Sequence, residues 1–298
     1  MMKLRRYSRN LVRCGLLLNT LLLSLLILGC SSSTKPSYLK EDICAAVQNI
    51  SLKEYGVELK NSLVGKTLWV YMPKEDIFVP RTKPEKYKER FAVNYNDAYF
   101  KDILLILDYL IKHITPEQEK LQTVQLDKDI AEQINRVWNV IRRVLFSMDR
   151  SKGGEPEFIA FIVADIKNGV EISQLAYYLD LKKVSYSFIS VEEYQHRTIQ
   201  DFNLRADLIG DKEGSYLPYN DITLKEFVSR QIEYRIRLKF QKPEVGRNAD
   251  IDKEITKIAA LTLKIYGLKD YDGVELNNID TEKKTLLSAG AIGEKPTE

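Results

Sequence analysis

The chain has 298 residues, 44% of them apolar and 29% charged, with 14 glycines and 9 prolines, which excludes a disordered, collagen-like or low-complexity class. Its formal charge of +3 comes from one end: the first 29 residues hold five of the 45 bases and none of the 42 acids. The remaining 269 residues carry 40 bases against 42 acids, so no global basic field argues for nucleic acid as a partner, and three cysteines are too few for a disulfide framework.

Lys3, Arg5, Arg6, Arg9 and Arg13 open the chain, and 15–28 follow as an almost wholly apolar run interrupted by Asn19, Thr20 and Ser24. Fourteen residues fall short of the roughly 20 needed to span a bilayer, so the pattern is that of a signal segment rather than a transmembrane helix. The run ends Leu26-Ile27-Leu28-Gly29-Cys30, which resembles the lipobox of bacterial lipoproteins over the first 30 or so residues. The resemblance implies cleavage between Gly29 and Cys30, and attachment to a membrane through diacylglyceryl and N-acyl groups on Cys30. Two or three acyl chains, at ~0.8 kcal/mol per buried methylene, would make that anchorage effectively permanent. By the same family pattern Ser31 directs the product to the periplasmic face of the outer membrane where a cell has two membranes. Residues 30–37 read as a lipidated tether, whose seven residues after the cysteine reach at most about 25 Å.

Leu39, Ile43, Val47 and Ile50 predict an amphipathic helix over 38–55, with Ser37 as its cap and Gly56 as its stop. Strands follow at 57–61 and 67–72 around a turn at Gly65. Residues 73–97 alternate cations with aromatics and contain Pro80 and Pro84, and are read as a long loop with room for a short strand, either pinned to the core by its rings or offering them to a partner; Phe78, Arg81, Lys83, Tyr87, Phe91 and Tyr95 are its candidate interaction residues. The apolar run 103–114 fits a helix or a buried strand, and its length, beyond that of a typical strand, favours the helix. Ile130, Ile134, Val137, Ile141 and Val144 form the stripe of a long helix over 129–148. A strand at 158–166 and a hairpin at Asn168-Gly169 lead into 170–179, with a further strand at 184–188. Ser190 with Glu193, and Thr223 with Glu226, match the capping box. Helices on 224–240 and 250–266 close the series, the last stopped by Gly267. Residues 52–61 and 268–278 share a Gly-Val-Glu-Leu segment that raises the question of a duplicated module.

No catalytic signature stands. Gly65-Lys66-Thr67 lacks the first glycine of a phosphate loop, since position 60 is lysine, and precedes a strand-like run rather than a helix. Glu192 and His196 share a helix face without a third ligand in sequence, so no metal is assigned. Cys44 reads as a small buried hydrophobe. Asp165, Glu171 and Asp180 remain as acids that could pair in space for glycoside cleavage.

The reading is an α+β body with antiparallel hairpins packed against several long amphipathic helices. It places a signal segment at 1–29, the tether at 30–37, a body at 38–288 divisible at 150/151 and a frayed tail at 289–298. The expected role is a non-enzymatic binding or scaffold module of the cell envelope, without cofactor, whose partner is an envelope protein or a glycan. A wall hydrolase with paired carboxylates and a soluble-ligand receptor are the alternatives.

Overall fold

A computed structural model describes residues 37–149, 154–241, 246 and 249–290. The expected signal segment, with Gly29 and Cys30, and the expected tether up to residue 36 lie outside the described residues, as does the tail from 291. Among the described residues no helix is long and apolar enough to cross a membrane, which leaves strands unaddressed.

From Tyr38 onward the chain forms one compact α+β unit. After a 3-10 turn at Lys40–Asp42 come α1 (Ile43–Tyr55), β1 (Lys60–Val64), β2 (Thr67–Lys74), β3 (Phe78–Lys101), β4 (Leu104–Leu126) and α2 (Lys128–Phe146). The second half holds β5 (Phe158–Asp165), β6 (Val170–Tyr177), α3 (Tyr178–Ser185), α4 (Val191–Arg197), β7 (Ile199–Leu204), α5 (Leu224–Gln241), α6 (Ile251–Tyr266), β8 (Gly273–Asn278) and β9 (Lys283–Ser288).

One sheet runs β1-β2-β5-β6-β7 and the other β3-β4-β8-β9. Both are mixed: hairpin pairs are antiparallel, whereas β2 lies parallel to β5 and β4 parallel to β8. The β2–β5 ladder continues over eight residue pairs, so a division at 150/151 would cut through the middle of a sheet.

Two apolar cores share the first sheet. Leu68, Val70, Met72, Ile159, Phe161 and Val163 face α1 and α2. Their alternates Trp69, Tyr71, Phe158, Ala160 and Ile162 face α5, α6 and the inner side of the second sheet. Covered on both faces, β2 and β5 carry near-continuous apolar runs, as a buried parallel pair requires. α5 lies between the sheets, and Phe227, Val228, Gln231, Ile232, Tyr234, Ile236 and Phe240 are buried around most of its circumference.

The helix ends follow local chemistry. The Asp127 carboxylate accepts from the amides of Asp129 (2.8 Å) and Ile130 (3.2 Å) at the start of α2. The Ser190 hydroxyl accepts from the Glu193 amide at 3.0 Å. At α5 the box closes in both directions, Thr223 N–H to Glu226 Oε2 at 2.7 Å and Glu226 N–H to Thr223 Oγ1 at 3.2 Å. Ser37 does not cap α1, which begins only after the 3-10 turn; Leu39 N–H donates to Asp42 instead.

Three expected elements differ. The loop read over 73–97 is most of β3, and the helix read over 103–114 is the first half of β4; they pair from Phe78 opposite Leu126 to Lys101 opposite Leu104. Along β4, Leu105, Leu107, Tyr109 and Ile111 point inward, while Ile106 and Leu110 on the outward side hide the period of two that identifies a strand. Along β3, residues 82–88 are exposed on both faces of a two-stranded ribbon, so no alternation of burial marks them, and the prolines sit at an irregularity between Pro80 and Glu85. The strand read over 184–188 is the end of α3 and the turn after it. The repeated Gly-Val-Glu-Leu segments occupy unlike places: Gly56–Leu59 is the turn into edge strand β1, whereas β8 lies inside the second sheet between β4 and β9.

Candidate functional site

Among the described residues no layer covers the outer face of the second sheet. On β3, period two turns Ala98 toward the core and Tyr95, Asp97, Tyr99 and Lys101 outward. Register then builds rows across the strands: Tyr99, Ile106, Glu275 and Leu286 form one, and Asp97, Asp108, Asn277 and Lys284 the next. These rows border a shallow depression of about 720 Å³.

Tyr95 and Tyr99 are 44% and 40% exposed. Four residues apart on one strand, their α carbons stand about 13 Å from each other. Tyr95 Oη donates to Asp97 Oδ2 at 3.2 Å and Tyr99 Oη to Asp108 Oδ2 at 3.4 Å, while Asn277 Nδ2 donates to Asp108 Oδ1 at 2.7 Å. Desolvation first, then the neighbouring aspartates, raise both phenols above their ordinary range, so they remain neutral donors. From below, Tyr109 Oη donates to Asp252 Oδ1 at 2.7 Å and Asn278 Nδ2 to the same oxygen at 3.2 Å, tying β4 and β8 to the start of α6.

At the rim, Glu233 of α5 reaches the free edge of β3. Its Oε1 accepts from Ala98 N–H at 2.9 Å, and its main-chain carbonyl accepts from Asn96 Nδ2 at 2.9 Å. Burial, and then the Asp97 carboxylate within hydrogen-bonding reach, push Glu233 up to about 7.

The six residues expected to form one interaction loop do not share a surface. Phe91 is 1% exposed and packs against Phe240 (ring centroids 5.3 Å) and His113 (4.4 Å). Phe78 is half-buried beside Phe202. Arg81 donates from Nε to the Val124 carbonyl at 3.1 Å and pairs with Glu85 at 2.7 Å. Lys83 and Tyr87 are exposed on the ribbon, and Tyr95 alone belongs to the open face. The loop reading is therefore corrected: these residues lie on a strand, which carries Phe91 into the core and Phe78 against it.

The three acids considered for glycoside cleavage are occupied separately. Asp165 accepts from the amides of Ile77 (2.9 Å), Lys167 (3.2 Å) and Asn168 (3.0 Å), and these bonds with that from the Asn168 side chain hold it low against the upward push of burial. Glu171 accepts from Tyr216 Oη (2.6 Å) and Asn203 Nδ2 (3.1 Å). Asp180 pairs with Arg197 at 2.9 Å and Lys183 at 3.3 Å. Glu171 stands opposite Ala164, one residue from Asp165, so those two carboxylates leave opposite faces of the sheet. In the Gly65 turn, Lys66 N–H and Thr67 Oγ1 donate to Asp221 at 2.8 and 3.1 Å, so a carboxylate fills the place a phosphate would need. Cys44 is half-buried, and burial raises its thiol. The carbonyl of His196 accepts from Gln231, and among the described residues no three His, Cys, Asp or Glu side chains converge as metal ligands.

Comparison of the chain with protein-family models, with curated proteins and with solved structures finds no match in any of the three.

Proposed function

We propose that the protein is a binding module of the cell envelope, held to a bilayer through lipid on Cys30, that grips an extended polar ligand on the open face of the second sheet. A glycan strand fits best. Two exposed tyrosines, four residues apart on one strand, offer flat apolar faces for sugar rings. Between them Asp97, Asp108, Asn277 and Lys284 supply acceptors and donors for hydroxyls.

The observation that carries this reading is the outward alternation Tyr95-x-Asp97-x-Tyr99-x-Lys101 on an uncovered sheet. It favours binding over hydrolysis. Among the described residues Glu233, raised to about 7, is the carboxyl poised as a general acid, but its partner Asp97 lies within hydrogen-bonding reach, closer than the ~5 Å that a glycosidase pair keeps.

Titration of the purified protein with soluble wall polysaccharide tests the proposal. Tyr95→Ala and Tyr99→Ala should each weaken binding by about fivefold or more. Binding left unchanged in the double variant refutes the face as the site, and release of new reducing ends by the unmodified protein restores the hydrolase. The anchor is tested separately by the mass of the peptide carrying Cys30, where a free thiol rules it out.

A further inference from the structure

The chain enters the body at the C-terminal end of α2. Tyr38 N–H donates to the Ser147 carbonyl at 3.3 Å, Asp149 N–H donates to the Tyr38 carbonyl at 2.8 Å, and Tyr38 bridges Met148 in parallel. Arg142, Arg143, Tyr55, Phe146, Ser185 and Tyr186 border a depression of about 500 Å³, and among the described residues no carboxylate lines it. Arg143 is held by Glu54 at 2.6 Å. Arg142 donates to the Asn139 side chain at 2.9 Å, and among the described residues it pairs with no carboxylate. Tyr186 stacks on Phe146 with ring planes 3° apart and is still 61% exposed. Phe188 follows in the same turn, its N–H donating to the Lys183 carbonyl at 2.8 Å, and is 78% exposed.

We infer that this surface docks on the bilayer that holds the anchor, with Arg142 taking a lipid headgroup phosphate and Tyr186 and Phe188 lying at the headgroup level. The inference rests on the anchorage proposed above. Eight residue-to-residue steps lead from Cys30 to Tyr38 and reach at most about 28 Å, so the end of the body where Tyr38 is fastened stays within about that distance of the lipid. An arginine fork matches phosphate geometry, and aromatic rings favour the interface between headgroups and acyl chains. A bilayer rich in anionic lipid adds attraction for each exposed cation.

The full chain purified from membranes is reconstituted into vesicles of phosphatidylglycerol and phosphatidylethanolamine with brominated acyl chains. The reporter is Phe188→Trp, and Tyr99→Trp on the second sheet is the control, each in a chain whose own tryptophans are replaced, Trp69→Phe and Trp138→Phe. Emission from Phe188→Trp should be quenched and that from Tyr99→Trp should not. Adding Arg142→Glu should lower the ratio of docked to undocked body by at least about fivefold. Equal quenching at both positions, none at Phe188→Trp, or indifference to Arg142→Glu each overturns the docking face. So does binding of inorganic phosphate at Arg142 with no quenching by lipid. The two readings fail separately: an unmodified Cys30 with Phe188→Trp still quenched removes the anchor and keeps the face, whereas a lipidated Cys30 without quenching removes the face and keeps the anchor.

Discussion

Glu233 is the residue at which the candidate site and the stability of the body are coupled. Its carboxyl is raised from an ordinary 4.5 to about 7 by burial and by Asp97. Below pH 4.5 it is protonated in both states. Between 4.5 and 7 the unfolded chain loses the proton first, so the folded state binds more protons and stability falls as pH rises. Above 7 both states are ionised and the loss is complete. Glu233→Gln keeps an oxygen to accept from Ala98 N–H and supplies an amide that can donate to Asp97, imitating the protonated acid. Denaturant midpoints measured across this range should therefore show the variant gaining on the parent as pH rises from 4.5 to 7, with the difference constant above. A difference independent of pH sinks the assignment. Other carboxyls held low, Asp165 and Asp252 among them, act alike in both proteins and cancel.

At the scale of elements, the closed capping box of α5 is the most local device and the easiest to test. Thr223→Ala removes the hydroxyl that the Glu226 amide donates to and should cost about 1 kcal/mol. For a body of this size that lowers the melting temperature by roughly 2–4 °C in a calorimetric scan. A loss beyond about 5 kcal/mol would mean that Thr223 does more than cap. Devices of this kind are legible in sequence because donor and acceptor lie three residues apart, and the same holds for the turn after β5 and the apolar stripe of α2. The β3–β4 hairpin was not legible. A ribbon exposed on both faces shows no burial period, and Ile106 and Leu110 blur the period of its inner portion. The site inherits that blindness. Of the open face only Tyr95 was singled out in advance, although the alternation from Tyr95 to Lys101 was there to be read. Asp108 meets Asn277 across 169 residues of chain, through a parallel β4–β8 pairing that no local pattern announces.

Taken whole, the molecule orders its layers from the end where the chain enters to the face proposed to bind. α1 and α2 cover one side of the first sheet, α5 and α6 the other, and the second sheet lies beyond them. The proposed bilayer contact, at the end of α2, and the tyrosine face are thus separated by about three layer spacings, some 30 Å, so one can be occupied without obstructing the other. The same arrangement bears on cooperativity. Bodies of more than about 150 residues often unfold through intermediates, commonly because one core can detach from another. Here neither core can, because successive residues of β2 and β5 belong alternately to each, and losing either core exposes one side of the strands that build the other. The two tryptophans report the cores separately: Trp69 is buried in the one beneath α5, and Trp138 of α2 meets Phe161 edge-on in the other, at 5.8 Å between ring centroids. In Trp138→Phe and Trp69→Phe, each with one tryptophan left, the midpoint of urea unfolding seen by fluorescence should coincide with that seen by far-ultraviolet circular dichroism on the same sample. Two midpoints in either variant would mean that the first sheet can lose one of its faces and remain folded on the other.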